Sequence, residues 1–182
     1  LWNTAMVPFE KVPLWHEPVC AGELQGEPCL IPVPAEGRAE KPVILIAHGG
    51  GFRWRTGCEA ANVAWRFRQY GYPTAMLSYR LQPHTRTEAL LDMQRAVRLL
   101  RRLKDEIGHS GKVIVMGFSA GGMLAANCAT LFDRGDSASA DPAERESSRP
   151  DAAVVCYGAM SATAFPLPFG MNPDAALFGA TP

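Results

Sequence analysis

Apolar runs and amphipathic segments alternate along most of this 182-residue chain. The runs are continuously apolar, which is typical of strands that are buried on both faces of a sheet. Regular strand–helix alternation predicts an α/β fold with a mostly parallel sheet and helices on both faces, in one domain over residues 1–182. The predicted strands lie at 42–51, 74–81, 112–117 and 151–158, and the predicted helices at 58–71, 88–107 and 119–132.

Prolines and polar residues mark the remaining segments. Residues 1–23 are predicted to be irregular, because three prolines there break any helix. The run CLIPVP at 29–34 is a strand candidate that its prolines confine to an edge or an end of the sheet. Polar and turn-forming residues at 133–150 predict a surface loop.

Charge and cysteine usage narrow the possible functions. Eighteen basic residues balance eighteen acidic ones, so composition gives no support for nucleic acid or an anionic membrane as the main partner. No apolar stretch has the length of a transmembrane helix. The five cysteines form no C-x-x-C pair, which gives little support for a zinc site or a disulfide framework. One basic cluster is interpreted as the solvated face of a helix, and its members are Arg95, Arg98, Arg101, Arg102 and Lys104.

The stretch MGFSAGG at 116–122 has the spacing G-x-S-x-G. Ser119 follows a predicted buried strand and opens a predicted helix, which is the setting of a nucleophile elbow. Such a sharp turn strains the serine backbone, and Gly117 and Gly121 lack the Cβ atoms that would block the close passage of the chain. Ser119 is therefore the candidate nucleophile, and the N–H of Ala120 in the first helical turn is a candidate oxyanion donor.

A second glycine cluster, HGGGF at 48–52, also follows a predicted buried strand directly. Consecutive glycines let a loop turn back with its N–H groups facing inward, so the N–H groups of Gly50 and Gly51 are assigned to the oxyanion hole. A phosphate-binding loop is disfavoured, because neither G-x-G-x-x-G nor a G-K-S/T ending occurs. Phe52 and Trp54 come next, and they either line a substrate pocket or cover the sheet.

These two motifs, in this order, resemble the α/β-hydrolase family, and within it the serine esterases that carry HGGG. Further segments are similar to the branch of acetyl xylan esterases and feruloyl esterases, the BD-FAE-like branch. The resemblance implies hydrolysis of small acyl esters through an acyl-enzyme, without a cofactor or metal. It also implies an acyl ester or acylated carbohydrate, such as an acetylated or feruloylated plant polysaccharide, as the partner. The segments are VPLWHE (12–17), SYRLQP (78–83), LLDMQRAVRLLR (90–101) and RPDAAVVCYG (149–158).

The chain departs from this family in one respect. The triad of the family runs from serine to an acid and then to histidine, yet no histidine follows Ser119. We therefore expect an N-terminal fragment whose last strands, catalytic loops, triad acid and histidine lie past residue 182. Of the histidines present, His48 is assigned a structural role under the glycine loop, and His84 is the alternative considered as a base. His16 and His109 are predicted to lie on the surface.

Two other functions remain open at this point. The same groups would hydrolyse an amide, as in an arylformamidase-like or peptidase-like member of the fold. The missing base favours a catalytically inactive, truncated relative for the chain as given, with a ligand or a partner as its target.

Overall fold

The computed structural model describes residues 10–19, 27–35 and 40–160. Six strands within these ranges form a single sheet. The strands are β1 (Val12–Pro13), β2 (Cys29–Val33), β3 (Val43–Ala47), β4 (Thr74–Ser78), β5 (Val113–Phe118) and β6 (Ala152–Cys156). Their order across the sheet is β1-β2-β4-β3-β5-β6, and β3 to β6 are parallel, as predicted.

Strand β2 is not the edge strand that its prolines predicted. It lies between β1 and β4 and is antiparallel to both. The prediction was wrong because β1, in a region expected to be irregular, is only two residues long and pairs with Cys29 and Leu30 alone. Pro32 lies past that short pairing, so its missing N–H removes no hydrogen bond between β1 and β2.

Helices cover both faces of the sheet. They are α1 (Ala61–Gln69), α2 (Arg86–Arg102), α3 (Lys104–Ile107) and α4 (Ala120–Thr130), and a short 3-10 helix, Gly57–Glu59, precedes α1. On one face Leu45 and Val115 pack beneath α2 and α4. On the other face Ile46 and Met76 pack with Ala64 of α1. Successive strand residues therefore enter opposite halves of the core.

The ends of α2 and α3 follow from local capping. The Thr85 hydroxyl accepts from the Glu88 N–H, and the Glu88 carboxylate accepts from the Thr85 N–H at 2.8 Å, which forms a capping box. Leu103 interrupts the single helix predicted at 88–107. Gly108, at φ 78°, ends α3 in the left-handed conformation that favours glycine.

In the described ranges no helix combines the length and the apolar character needed to cross a membrane.

The basic cluster predicted to be a solvated face is solvated only in part, since Arg102 and Lys104 are exposed. Arg95 and Arg98 are buried, with 2% and 6% of their surface exposed. The Arg95 guanidinium contacts Asp141 at 2.6 Å, and that of Arg98 contacts Asp133 at 2.5 Å. The prediction was wrong for these two residues because the loop at 133–149 folds back over this side of α2 and supplies carboxylates to it.

Strand β6 was predicted to be buried, and that prediction was wrong. Residues 152–155 are exposed, including Val154 at 38% and Val155 at 40%. The strand pairs with β5 on one side and packs against α4 on one face. No other strand in the described part of the chain pairs with its outer side. The apolar sequence of β6 therefore predicts a burial that the strand does not have in the described part of the chain.

Asp92 is a buried carboxylate that joins three parts of the fold. It accepts hydrogen bonds from the Arg80 backbone N–H at 2.8 Å and from the Arg80 guanidinium at 3.0 Å. It also accepts from the indole N–H of Trp15 at 2.7 Å. Asp92 is fully buried, so each donor compensates part of the cost of removing its charge from water.

We expect Asp92→Ala to lower the free energy of unfolding by about 3–5 kcal/mol, because it removes the buried carboxylate at 2.8 Å from Arg80 and leaves that charge only the more distant Glu88, at 3.7 Å. Urea denaturation followed by circular dichroism measures this change. Asp105→Ala is the matched control, since Asp105 is exposed, and we expect it to change stability by less than about 0.5 kcal/mol. Equal effects of the two substitutions would contradict the assignment of Asp92 as a structural anchor.

Candidate active site

Ser119 lies at the sharp junction between β5 and α4. Its φ of 51° and ψ of −115° are unusual for any residue except glycine. The backbone is held on both sides, because the Ser119 N–H donates to the Cys156 carbonyl and the Ser119 carbonyl accepts from the Met123 N–H, both at 3.0 Å. Within the described ranges the Ser119 hydroxyl has no hydrogen-bond partner, so it is available to another group.

Glycines allow the start of α4 to approach the strand ends. A Cβ on Gly117 would lie 1.9 Å from the Gly121 carbonyl oxygen. A Cβ on Gly121 would lie 2.2 Å from the Ala47 carbonyl oxygen. Both distances are far below van der Waals contact with rigid backbone atoms, so these positions require glycine for the reason predicted from the motif.

The glycine loop, residues 48–52, turns back on itself after β3. Gly50 and Gly51 have φ values of 120° and 60°, and Phe52 also has a positive φ, 59°. The N–H groups of Arg53 and Trp54 both donate to the Gly50 carbonyl, at 3.0 and 3.2 Å. These two bonds close a tight turn that a side chain at Gly50 would obstruct.

The glycine loop and the Ser119 junction are in contact. A Cβ on Gly49 would lie 3.1 Å from the Ser119 Cβ atom. In the part of the chain that the structure describes, no group accepts a hydrogen bond from the N–H of Gly50, Gly51 or Ala120. Unpaired N–H groups beside a serine hydroxyl are the groups that acyl transfer requires. The assignment of these three N–H groups to an oxyanion hole stays a prediction.

His48 supports the glycine loop from the core. Its ring is fully buried and stacks on the Tyr79 ring with a centroid distance of 4.4 Å. The Tyr79 hydroxyl donates to the His48 carbonyl at 2.8 Å, and His48 Nδ1 lies 2.6 Å from the Gly49 carbonyl oxygen. Burial lowers the pKa of His48 to about 4, so the ring is neutral near pH 7. These contacts are the structural role predicted for it.

The other three histidines make contacts elsewhere. His84 Nδ1 lies 3.0 Å from the Glu88 carboxylate at the start of α2. The side chain of His16 is 80% exposed beside a loop aspartate. His109 is buried, and its Nε2 lies 3.0 Å from a backbone carbonyl of α2, so its predicted surface position was wrong. None of the three is hydrogen-bonded to Ser119 in the described ranges.

The two aromatic candidates for a substrate pocket have different surroundings. Phe52 is 6% exposed and packs edge-on against Tyr79, with ring centroids 6.1 Å apart. This packing agrees with a role in covering the sheet, and the contact of Phe52 with a substrate stays a prediction. Trp54 follows the glycine loop and is 55% exposed. Trp54 stays a predicted substrate contact.

Glu59 and Tyr157 belong to the same region and were missed by the sequence reasoning. The Glu59 carboxylate accepts from the Gly49 N–H at 2.8 Å, from the Tyr157 hydroxyl at 3.0 Å and from the Thr56 hydroxyl. Burial raises the pKa of Glu59, but these hydrogen bonds outweigh burial and lower it overall. No sequence pattern connects Glu59 with Tyr157, because 98 positions separate them.

The described residues contain no metal-binding cluster. No three His, Cys, Asp or Glu side chains lie together in a way that would hold an ion. The four described cysteines are free thiols, and burial raises the pKa of Cys128 to about 12. A buried protonated thiol is a packing group and a poor ligand.

Comparison with known proteins identifies the relatives of this chain. The BD-FAE family model matches residues 30–169. The acetyl ester-xyloside bifunctional hydrolase from Caldicellulosiruptor lactoaceticus is 34% identical with a TM-score of 0.85, over 98% of this chain and 67% of that one. An α/β hydrolase enzyme from a Medee basin deep-sea metagenome library is 23% identical with a TM-score of 0.62, over 83% of this chain and 57% of that one. The fold is therefore that of the α/β hydrolases.

A curated relative is much longer than this chain. Endo-1,4-beta-xylanase B from Butyrivibrio fibrisolvens is 29% identical over 124 residues. The match includes 65% of this chain and 19% of the xylanase. This chain thus spans about a fifth of that relative and between half and two thirds of the two hydrolase structures.

We expect Ser119→Gly to be more stable than Ser119→Ala by about 1 kcal/mol, because glycine relieves the strain at φ 51° that alanine retains. Urea denaturation of both variants measures the difference. The same pair of substitutions at Ser137, an exposed position without positive φ, should give the opposite order. An alanine variant at Ser119 as stable as the glycine variant would show that the junction is not strained.

We expect the free energy of unfolding to fall as the pH drops from about 6.5 to about 4, by on the order of 3 kcal/mol from His48 alone. The folded-state pKa of His48 is lower than its unfolded value of 6.5, so the unfolded chain binds the extra proton in this window. The contribution of neutral His48 to the free energy of unfolding is therefore fully present above pH 6.5 and is lost as the pH falls toward 4. Urea denaturation between pH 7 and 5 checks this, and a flat profile would contradict a neutral buried His48.

Proposed function

The chain belongs to the BD-FAE family, and we propose from this premise that it carries the nucleophile and oxyanion hole of a serine carboxylic-ester hydrolase. One observation carries the proposal. Ser119 has a strained backbone at a strand–helix junction, and it adjoins Gly49, which precedes the unpaired N–H groups of Gly50 and Gly51 in the glycine loop. A nucleophile elbow and an oxyanion hole need these two features together.

In the proposed reaction the Ser119 oxygen attacks the ester carbonyl carbon, and its proton passes to a general base. The N–H groups of Gly50, Gly51 and Ala120 donate to the carbonyl oxygen as it becomes negatively charged. The tetrahedral intermediate collapses, and the leaving alcohol takes the proton from the base. Water then attacks the acyl-enzyme through the same two steps and releases the carboxylic acid.

The general base is proposed to be a histidine outside this sequence. His48 is neutral and engaged with the Gly49 carbonyl, and His84 is paired with Glu88. The relatives are longer than this chain. We assign the histidine and the acid that orients it to that additional length, in the order serine, acid, histidine that such hydrolases follow.

The proposed substrates are small acyl esters, with acetyl and feruloyl esters of plant polysaccharides as the first candidates. The name of the Caldicellulosiruptor lactoaceticus relative, an acetyl ester-xyloside hydrolase, supports an acetyl ester of a sugar. Trp54, exposed beside the glycine loop, is proposed to contact the substrate. Aromatic faces suit sugar rings and feruloyl groups alike.

We expect Ser119→Ala in the complete protein to lower kcat on p-nitrophenyl acetate by on the order of 10⁴-fold or more, with little change in the melting temperature. Ser137→Ala is the matched control, because Ser137 is exposed in a loop away from the junction. Steady-state kinetics on acetyl, feruloyl and formyl-amide substrates would also separate an esterase from an amide hydrolase. Ester turnover that survives Ser119→Ala would refute the proposed nucleophile, and an inactive wild type would favour a binding role.

A further inference from the structure

Glu59 connects three segments around Ser119 through one carboxylate. Oε2 accepts from the Gly49 N–H at 2.8 Å and from the Thr56 hydroxyl, and Oε1 accepts from the Tyr157 hydroxyl at 3.0 Å. The donors lie in the glycine loop, in the segment before the 3-10 helix and directly after β6. A carboxylate is suited to this position because both of its oxygens accept and neither donates.

The contacts of Glu59 surround the nucleophile junction. Gly49 is the loop residue whose Cβ position lies 3.1 Å from the Ser119 Cβ atom. Cys156, the neighbour of Tyr157, accepts the Ser119 N–H at 3.0 Å. The end of β6 therefore holds Ser119 through a backbone bond and holds Gly49 through Tyr157 and Glu59. The relative position of the glycine loop and the serine depends on both links.

We propose that Glu59 is a positioning residue that fixes the N–H donors of the glycine loop relative to Ser119, and that Tyr157 aligns the Glu59 carboxylate for this purpose. This inference rests on the proposed function and names how the oxyanion hole is held in place. Glu59 itself does not contact the reacting atoms. It acts through Gly49, which precedes the two proposed donors, Gly50 and Gly51.

The chemistry of the side chain at this position makes a sharp test. Glu59→Leu keeps a side chain of similar size and removes both accepting oxygens, so the Gly49 N–H and the Tyr157 hydroxyl both lose this partner. Glu59→Gln is the conservative variant, because its amide oxygen still accepts from Gly49 and its NH2 group can donate to the Tyr157 hydroxyl oxygen, which accepts as well as donates. A displacement of the loop by a fraction of an ångström weakens the transition-state bonds more than it weakens substrate binding.

We expect Glu59→Leu in the complete protein to lower kcat on p-nitrophenyl acetate by about 10- to 100-fold with KM changed less than about threefold, and Glu59→Gln to retain most of the wild-type kcat. Tyr157→Phe leaves Glu59 on Gly49 and should have a smaller effect, and the double variant of Glu59→Leu and Tyr157→Phe should be no slower than Glu59→Leu alone. Glu106→Leu on α3 is the matched control, since Glu106 is exposed, and its kinetics should equal those of the wild type.

Two further measurements separate the possible failures. Amide hydrogen exchange at Gly49 should be faster in Glu59→Leu than in the wild type, whether or not the protein turns over esters. Unchanged exchange, an unchanged kcat, or a loss confined to KM would overturn the role of Glu59. Labelling of wild-type Ser119 by a fluorophosphonate tests the proposed function separately, because a wild type that is neither labelled nor active refutes the nucleophile itself.

Discussion

The close approach of α4 to the ends of β3 and β5 is the constraint on which the rest of this structure depends. Gly121 has no room for a Cβ against the Ala47 carbonyl, and Gly117 has none against Gly121. The helix can begin this near to the strands only if the chain turns within one residue, and that residue is Ser119. Backbone strain at a single position is thus imposed by the packing of three elements and is compensated by their burial.

The glycine loop is held in place by groups on every side of it. From the core, His48 stacks on Tyr79, whose hydroxyl binds the His48 carbonyl. From the rim, the Glu59 carboxylate holds the Gly49 N–H. These supports come from the residue that follows β4 and from the 3-10 helix, so the geometry of a few N–H groups depends on several elements at the carboxyl edge of the sheet. Preorganisation of this kind is what electrostatic catalysis requires.

Periodicity and glycine spacing predicted the sheet, its parallel strands and the sharp strand–helix junction at Ser119, because these depend on the local sequence. The wrong predictions and the contacts that were not predicted share one cause, since all of them depend on packing between segments that are distant in the sequence. The burial of Arg95 comes from carboxylates of a distant loop, and the contact of Glu59 with Tyr157 joins positions 98 apart. The sequence of β6 resembles that of β5, yet its exposure depends on which elements pack beside it. Long-range packing leaves no periodic trace in a single sequence.

The loop at 133–149 behaves unlike most polar surface loops. Three arginines at every third position of α2 hold three separate points of the loop. Arg95 contacts Asp141, Arg98 contacts Asp133, and Arg101 donates to the Arg149 carbonyl. A segment fixed at so many points serves as a rigid spacer that delivers β6 to its register. Inserted domains, affinity tags and new chain termini are usually tolerated in loops of this composition. Here they would disturb the strand that positions Ser119.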